Sequence, residues 1–236
     1  MYGYRGKRLM KKRSKRYKNL LKDKIKEKIS TKEIFDLIRK SPSSKFDESI
    51  DASIRINLKQ SKGGDFSLRT TVKLPNGSGK KETIAVLCEA DKVQDAKSSG
   101  ADIVGSDDLI DKIASGKFNF TKLICTPAMM GKIGKHGKVL GPKGLMPNPK
   151  LGTVSNDIKK TVNDIKTGLV EIRNDKDGNL ASSIGRKSYS TDKLLENLKF
   201  FIDSVKKEKP DTIKGEFIKN TFISSTMGIS YKVGVK

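Results

Sequence analysis

The sequence is short of the residues from which metal sites and disulfide frameworks are built. Its 236 residues include one histidine, His136, and two cysteines, Cys88 and Cys125. Two cysteines cannot make a disulfide framework, which fits a reducing compartment. A zinc site needs four ligands and a catalytic triad needs a positioned base, so His136 is interpreted as a solvated loop residue. We therefore expect no metal, no cofactor and no enzymatic activity.

Long apolar runs and acidic residues are also scarce. No apolar stretch approaches the roughly 18 residues that cross a bilayer, so we expect no membrane partner. Lysine and arginine number 50 against 27 acidic residues, a net charge of +23, while 34% hydrophobic residues still allow a buried core. This excess of positive charge favours a polyanionic partner, most often nucleic acid.

The positive charge is concentrated in the two ends of the chain and in one central segment. Residues 1–28 hold thirteen basic and two acidic residues, which indicates a basic arm that becomes ordered on RNA, with an organelle transit segment as the alternative. Residues 77–160 carry +5, which leaves +18 of the +23 on the rest of the chain. Within 131–150 there are five lysines and no acid.

The two ends of the chain share a pattern typical of antiparallel α+β structure. Ser30 and Glu33 form a capping-box motif for a helix that ends before Pro42. Residues 50–58 alternate between apolar and polar, and residues 66–74 repeat the pattern, which predicts a hairpin. The C-terminal part predicts a second hairpin, an amphipathic helix and two strands, at 169–184, 191–207, 217–224 and 229–235.

The middle of the chain predicts a parallel α/β unit. Short helices alternate with apolar runs typical of strands buried on both faces, at 84–88, 101–104 and 123–125. Ser106 is predicted to cap one helix, another is predicted to begin near Ser155, and Cys88 and Cys125 are interpreted as inert core thiols.

We therefore expect two domains. The first is a discontinuous antiparallel α+β domain formed by residues 1–76 and 161–236. The second is a parallel three-layer α/β domain, residues 77–160, inserted into the first. Alternating strands and helices favour this parallel arrangement, and the matching charge and strand patterns of the two ends favour their association.

Residues 131–149 are the most unusual segment, with five glycines and three prolines. The spacing fits neither a Gly-x-x-x-x-Gly-Lys-Ser/Thr loop nor Gly-x-Gly-x-x-Gly, which disfavours a nucleotide site. A long ordered surface loop is predicted, and loops of this length usually have a function. Contact with RNA or tRNA and a structural or hinge role both stay open.

Two short segments have both a functional and an ordinary interpretation. Ser224–Gly228 joins the last two predicted strands, and its small side chains and glycine would let a flat partner such as an RNA minor groove approach closely. The alternative is an ordinary turn. Phe46 lies at the start of the first strand and is either a core residue or an exposed platform for base stacking.

Four motifs in order along the chain resemble the family of large-subunit ribosomal protein one, the protein of the mobile ribosomal stalk. The most specific is GKVLGPKGLMPNPKLGTV at 137–154, and the others are KFDES at 45–49, ADIVG at 101–105 and SSTMG at 224–228. The resemblance covers the chain from about residue 30. It implies two domains, of which the discontinuous one grips a folded segment of large-subunit rRNA.

The resemblance also implies which residues bind. The rRNA contact patch matches Lys45, Phe46, Thr226, Met227 and Gly228. A neighbouring contact turn matches Arg173, Asp175 and Lys176. The segment that we expect to face the exit-site tRNA contains Lys132, Lys135, Lys138 and Lys143.

The family resemblance extends to partners and location. It implies assembly in a cytoplasmic, bacterial-type ribosome, help in releasing deacylated tRNA, and, as in bacterial members, repression of the protein's own mRNA. An organellar ribosome stays open, and the free protein is expected to be monomeric. A nonspecific basic RNA-binding protein and an α/β enzyme are the alternative functions.

The sequence departs from the family pattern at three places. Ile229 stands where the family usually has proline after Thr-Met-Gly, which would loosen the turn. Residues 60–65 lack the usual Asp-Pro-Arg form, so the family's contacts are not carried over to them. The basic N-terminal arm is longer than usual.

Overall fold

The computed structural model describes residues 14–22, 29–41, 44–57, 68–116, 118–210, 213 and 215–234. The helices are α1 (Lys15–Lys22), α2 (Thr31–Lys40), α3 (Val93–Ser98), α4 (Asp107–Ala114), α5 (Met130–Gly134), α6 (Gly137–Leu140), α7 (Ile158–Lys166) and α8 (Thr191–Lys207). The strands are β1 (Ser49–Ile56), β2 (Arg69–Lys73), β3 (Ile84–Leu87), β4 (Ile103–Gly105), β5 (Lys122–Cys125), β6 (Leu169–Arg173), β7 (Asn179–Arg186), β8 (Ile218–Ser225) and β9 (Ser230–Val233).

An antiparallel sheet in the order β7-β1-β8-β9 is built from both ends of the chain. In β1 the apolar residues Ile50, Ala52, Ile54 and Ile56 are buried, as the alternating pattern predicted. They join the core formed with α2 and α8, because successive side chains of a strand point to opposite faces. The other face, which we call the open face, carries exposed side chains among the described residues, such as Ala181, Phe222 and Lys232.

The two helices on the covered face begin and end where local chemistry dictates. Ser30 caps α2 as predicted: its hydroxyl accepts a bond from the Glu33 amide, and the Glu33 carboxylate accepts one from the Ser30 amide. Helix α8 buries Leu194, Leu198 and Phe201 in the predicted stripe. Residue bounds of 191–207 were predicted and are confirmed.

A parallel sheet in the order β4-β3-β5 lies between two layers of helices. Alternate residues of β3 enter two separate core clusters, with Ala85 and Leu87 in one and Ile84 and Val86 in the other. Helices α4, α5 and α6 contribute to the first cluster, and α3 and α7 to the second. The mixed fold class, with antiparallel α+β and three-layer parallel α/β structure, is confirmed.

The first predicted hairpin is wrong, and the second is confirmed only at its turn. Strand β2 pairs with β6, whereas β1 is bounded by β7 and β8. Strands β6 and β7 belong to different sheets. Among the described residues, only one isolated antiparallel bridge, between Asn174 and Leu180, pairs the two sides of the turn that connects them. Alternation of apolar and polar residues identifies a strand and its two faces, but it does not identify the partner strand. The departure at residues 60–65 lies outside the described residues.

Three local predictions need correction. The segment 131–150 is not a plain loop, since α5 and α6 lie within it and Ile133 and Leu140 are buried in the core. Ser106 precedes α4, but its hydroxyl makes no capping bond. Helix α7 begins at Ile158 rather than near Ser155, because Asp157 is the residue whose side chain caps it.

Two connections join the antiparallel and parallel parts, and they touch. The amide of Leu74 donates to the carbonyl of Gly168 at 3.2 Å. Gly168 has φ +109°, and a Cβ there would lie 2.5 Å from the Cα of Gly77. The side-chain amide of the buried Asn197 in α8 donates to the Gly77 carbonyl at 3.1 Å. The division at 76/77 and 160/161 stays a prediction, and residue 161 itself lies inside α7.

Candidate nucleic-acid interface

The turn between β8 and β9 is fastened to the start of β1. The Thr226 amide donates to the Ser49 carbonyl at 3.0 Å, and the Ser49 amide donates to the Thr226 hydroxyl oxygen at 3.1 Å. The Gly228 amide donates to the Ser225 carbonyl at 3.1 Å. A Cβ at Gly228 would lie 2.4 Å from the Ser225 hydroxyl oxygen, so the close packing of this turn favours glycine. The described chain keeps this turn closed with Ile229 in place of proline.

Glu48 links this turn to the loop that precedes β1. Its carboxylate is 1% exposed and accepts bonds from the Met227 amide at 3.2 Å and from the Ser44 amide at 3.1 Å. The Ser44 and Ser225 hydroxyls also donate to it. We call Glu48 with these donors the Glu48 network. Glu48 lies within the KFDES motif, but no role was predicted for it from the sequence. Its position directly before a strand with a buried face could have indicated a buried acid.

The Glu48 network holds a negative charge inside the protein. Burial favours the neutral acid, but hydrogen bonds from Ser225, Ser44 and Met227, together with the charge of Lys187, outweigh it. The pKa of Glu48 therefore lies below its ordinary value. A charged acceptor makes stronger hydrogen bonds than a neutral one, so the loop and the turn are held firmly together.

Two large apolar side chains are exposed at either side of this network. Phe46 is 53% exposed and Met227 is 45% exposed. Exposure excludes the core interpretation of Phe46. Lys45 beside it is exposed as well, and the carboxylate of Asp47 accepts bonds from the Ser188 amide and hydroxyl. Apolar and aromatic side chains held at the surface by fixed backbone suit stacking against nucleic-acid bases.

Arg186 is a further residue that sequence reasoning missed. Its guanidinium donates to the carbonyl of Asp47 at 3.1 Å and to that of Gly79 at 3.4 Å. It therefore links the loop that carries Phe46 to the segment between β2 and β3, which contains Gly79. A basic residue on a predicted strand gave no signal of this contact, because the contact depends on the three-dimensional arrangement of distant segments.

The second predicted contact turn lies at the opposite end of β1. Arg173, Asp175 and Lys176 are exposed, and the amide of Ile56 donates to the neighbouring Gly178 carbonyl at 2.8 Å. Seven residue steps along β1 separate this end from Ser49, roughly 23 Å at about 3.3 Å per residue. The structure thus does not bring these residues next to Thr226, and the two groups are not neighbours.

Asp175 organises its own turn. Its carboxylate accepts bonds from the Asn179 amide at 2.7 Å and the Asp177 amide at 3.0 Å. These bonds, those to Asn179 first, lower the pKa of Asp175. The arrangement presents Arg173 and Lys176 on a fixed turn, while Asp175 is occupied in holding it.

The open face of the antiparallel sheet lies between the two groups. Directly paired residues across a sheet share a face, and a row of paired residues runs Ala181, Ser53, Phe222, Lys232. Phe222 is 37% exposed in the middle of this row. Sequence reasoning missed Phe222, since its position on the open face follows only from the register.

The four lysines predicted to face tRNA, Lys132, Lys135, Lys138 and Lys143, are exposed, but they differ in their contacts. Lys132 forms an ion pair with Asp107 at 2.7 Å, and the ammonium of Lys143 lies 4.2 Å from the ring centre of Phe118. Lys135 and Lys138 form no ion pair among the described residues. His136, predicted to be a solvated loop residue, is half-buried and directly precedes α6.

The two thiols are interior, as predicted. Cys88 and Cys125 are fully buried, and burial, with a smaller contribution from Cys88, raises the pKa of Cys125 to about 12. Within the described ranges, no group of three or more His, Cys, Asp or Glu side chains is arranged to hold a metal ion. The described helices include none that is long and apolar enough to cross a membrane.

Comparison with known proteins gives consistent matches. The family model described as "Ribosomal protein L1p/L10e family" matches residues 37–229. A large ribosomal subunit protein uL1 from Pelagibacter ubique is 59% identical over 197 residues, covering 83% of this chain and 86% of that protein. Proteins of the same name from Limosilactobacillus reuteri and Prochlorococcus marinus are 44% and 45% identical, covering 94% and 96% of this chain and 96% of each relative.

Proposed function

The chain belongs to the Ribosomal protein L1p/L10e family, and on that premise we propose that it holds folded large-subunit rRNA across the open face of its antiparallel sheet. It is a large-subunit ribosomal protein that serves in translation. The observation that carries the proposal is the exposure of Phe46 and Met227 on backbone fastened by a buried carboxylate. An aromatic and an apolar side chain presented on rigid backbone suit stacking against the bases of an RNA.

The extent of the surface favours folded RNA over a small ligand. Phe46 and Met227 lie at one end of β1, and Arg173 and Lys176 lie at the other end, roughly 23 Å away by the rise of a strand. Between the two ends, the row through Ser53 presents Ala181, the Ser53 hydroxyl and the exposed ring of Phe222, a surface that suits a wide, shallow groove lined with 2′-hydroxyls. Both groups would then contact one RNA.

Charge would contribute affinity for RNA, and the shape of the surface would contribute selectivity. Lysine and arginine side chains near this face would neutralise phosphates and release counterions, which supplies affinity for RNA of any sequence. The Thr226–Gly228 turn would supply selectivity, because its backbone is fixed and its side chains are uncharged. We also propose that the chain forms two domains joined near residues 76 and 161, and that exit-site tRNA is contacted by Lys132, Lys135, Lys138 and Lys143.

The same surface would also serve regulation. An mRNA that folds like the rRNA segment presents the same phosphates and 2′-hydroxyls, so repression of the protein's own message needs no second binding site. This part of the proposal rests on the same contacts of Phe46 and the Thr226–Gly228 turn. Location in a cytoplasmic, bacterial-type ribosome is supported by the bacterial sources of the three relatives.

Replacing one exposed phenylalanine tests the site. We expect Phe46→Ala to weaken binding to an RNA containing the stalk segment of large-subunit rRNA by about 1–3 kcal/mol, the range for losing one stacked base. Phe200→Ala is the matched control, since Phe200 is 48% exposed on α8, on the covered side of the sheet. Filter binding at several salt concentrations measures both variants.

An unrelated duplex of equal length distinguishes the alternatives. The proposal predicts that Phe46→Ala narrows the difference in affinity between the stalk RNA and the duplex, because selectivity is lost and charge is unchanged. Equal losses in Phe46→Ala and Phe200→Ala would contradict the site. Equal affinity of the unchanged protein for both RNAs would favour a nonspecific basic RNA-binding protein.

A further inference from the structure

Helix α1, within the basic N-terminal arm, is docked against the body of the protein. Leu20 is 5% exposed and belongs to the core beneath the antiparallel sheet, and Tyr17 and Leu21 pack against that core. Leu20 also lines a small cavity of about 200 Å³ together with Ser225 and Gly228. The helix therefore lies directly beside the Thr226–Gly228 turn.

Arg16 connects α1 to that turn. Its guanidinium donates a hydrogen bond to the main-chain carbonyl oxygen of Met227. The amide of Met227 donates to Glu48 at 3.2 Å. The peptide groups on both sides of Met227 are thus held by charged side chains, one negative and buried, the other positive and exposed. This double attachment fixes the direction in which the exposed Met227 side chain points.

The solvent side of α1 is strongly basic. The helix KRYKNLLK holds four basic residues and no acid. Lys15, Lys18 and Lys22 are exposed, and their i, i+3, i+7 spacing places them on one face of the helix. The apolar residues Tyr17, Leu20 and Leu21 occupy a different face. Because Leu20 anchors the helix, these ammonium groups are held near the turn at a smaller entropic cost than on a free arm.

We propose that α1 is part of the RNA-binding surface. In this assignment Arg16 is a positioning residue that fixes the Met227 turn, while Lys15, Lys18 and Lys22 contact RNA phosphates beside it. The inference rests on the proposed function, since it adds a further element to the same site. The ligand chemistry is the phosphate backbone of a folded RNA that meets the turn.

Removing the lysine stripe tests the phosphate contacts. The triple variant replaces Lys15, Lys18 and Lys22 with alanine. A plot of the logarithm of the stalk-RNA binding constant against the logarithm of the salt concentration should then have a slope that is smaller in magnitude by about one for each lost phosphate contact. A matched triple variant on α8 replaces the exposed Lys193, Lys199 and Lys206 with alanine. Either variant lowers the net charge from +23 to +20, so only the position of the charge differs. An equal reduction in the two variants, or none in the α1 variant, would overturn the assignment.

Replacing Arg16 tests the positioning role. We expect Arg16→Ala to weaken stalk-RNA binding about tenfold, the effect of losing one hydrogen bond from a charged group, and Arg16→Lys to stay within about threefold. Hydrogen exchange of the 225–229 segment should be faster in Arg16→Ala, while the unfolding temperature stays unchanged. Unchanged affinity and exchange in Arg16→Ala would refute this role.

The Phe46→Ala result distinguishes a failure of the role assigned to α1 from a failure of the proposed rRNA site. If Phe46→Ala weakens binding and the α1 variants match their control, the role of α1 is wrong and the proposed rRNA site stands. If Phe46→Ala and the α1 variants all bind like the unchanged protein, the proposed site fails and the inference fails with it.

Discussion

Glu48→Gln is the substitution that tests most directly how the candidate site is built. Glutamine has nearly the same shape as glutamate, but it replaces one acceptor oxygen with a donor and removes the charge. Oε1 of Glu48 accepts from Ser44, and Oε2 accepts from the Met227 amide. Whichever oxygen is replaced, a buried amide then faces at least one N–H donor, so the loop or the turn loses its attachment.

The magnitude follows from the bonds that are lost. Each hydrogen bond to a charged group contributes roughly 1.5–3 kcal/mol, and the remaining oxygen of glutamine keeps weaker, neutral bonds. We therefore expect Glu48→Gln to lower the free energy of unfolding by about 2–4 kcal/mol at pH 7. Because the same bonds fix Met227, affinity for stalk RNA should fall as well.

The pH dependence gives an independent check. The pKa of Glu48 in the folded protein lies below its ordinary value of 4.5. The charged carboxylate thus contributes stability at pH values above that ordinary value, and this contribution is lost as the pH falls through the lower folded pKa. The difference in unfolding free energy between the unchanged protein and Glu48→Gln should shrink accordingly in acid.

Urea unfolding followed by circular dichroism at pH 7 and in acid measures this difference. Glu216→Gln is the matched control, because Glu216 is exposed and the same neutral side chain is introduced. If Glu48→Gln is as stable as Glu216→Gln at pH 7, or if its deficit is the same at every pH, the reasoning about the Glu48 network is refuted.

Two further substitutions or reactions test the packing around the connections and the core. Gly168→Ala should destabilise the protein more than Gly152→Ala in urea unfolding, because both glycines have positive φ but only at Gly168 would a Cβ lie 2.5 Å from another Cα. Equal losses would contradict the close contact with Gly77. Cys125, fully buried with its pKa raised to about 12, should react with a thiol reagent only as fast as the protein unfolds. Rapid reaction without denaturant would contradict its burial.

Local features of the fold were predictable from the sequence, and strand partners were not. The bounds of α8 and the cap of α2 follow from side chains a few positions apart, so a single sequence contains the necessary information. The pairing of β2 with β6 joins residues about a hundred positions apart, and alternation alone does not select it. The loop predicted for segment 131–150 was wrong for a related reason. Its glycines and prolines favoured a loop, but Ile133 and Leu140 are buried in a core formed with residues distant in sequence.

Some residues of the candidate site were likewise predictable from sequence motifs, and others were identified only by the structure. Motif resemblance identified Phe46 and the Thr226–Gly228 turn, but composition left the exposure of Phe46 open, and only the structure excludes a core role. Phe222 and Arg186 carried no motif signal, since the first depends on strand register and the second on contacts between distant segments. Arg16 was part of a basic arm, and nothing in its neighbours indicated a contact with Met227.

A buried negative charge beneath a surface proposed to bind phosphates requires an explanation. At a spacing of about 10 Å and an effective dielectric constant of about 20, a carboxylate and a phosphate repel by about 1.7 kcal/mol, and salt reduces this further. Hydrogen bonds from Ser44, Ser225 and Met227 to the charged Glu48 contribute about 1.5–3 kcal/mol each, so together they exceed that repulsion. Arg16 places a positive charge on the other side of the same turn. The hydrogen bonds and the Arg16 charge therefore offset the repulsion, and the rigidity that the carboxylate gives the turn is what an uncharged contact needs in order to select one RNA shape over another.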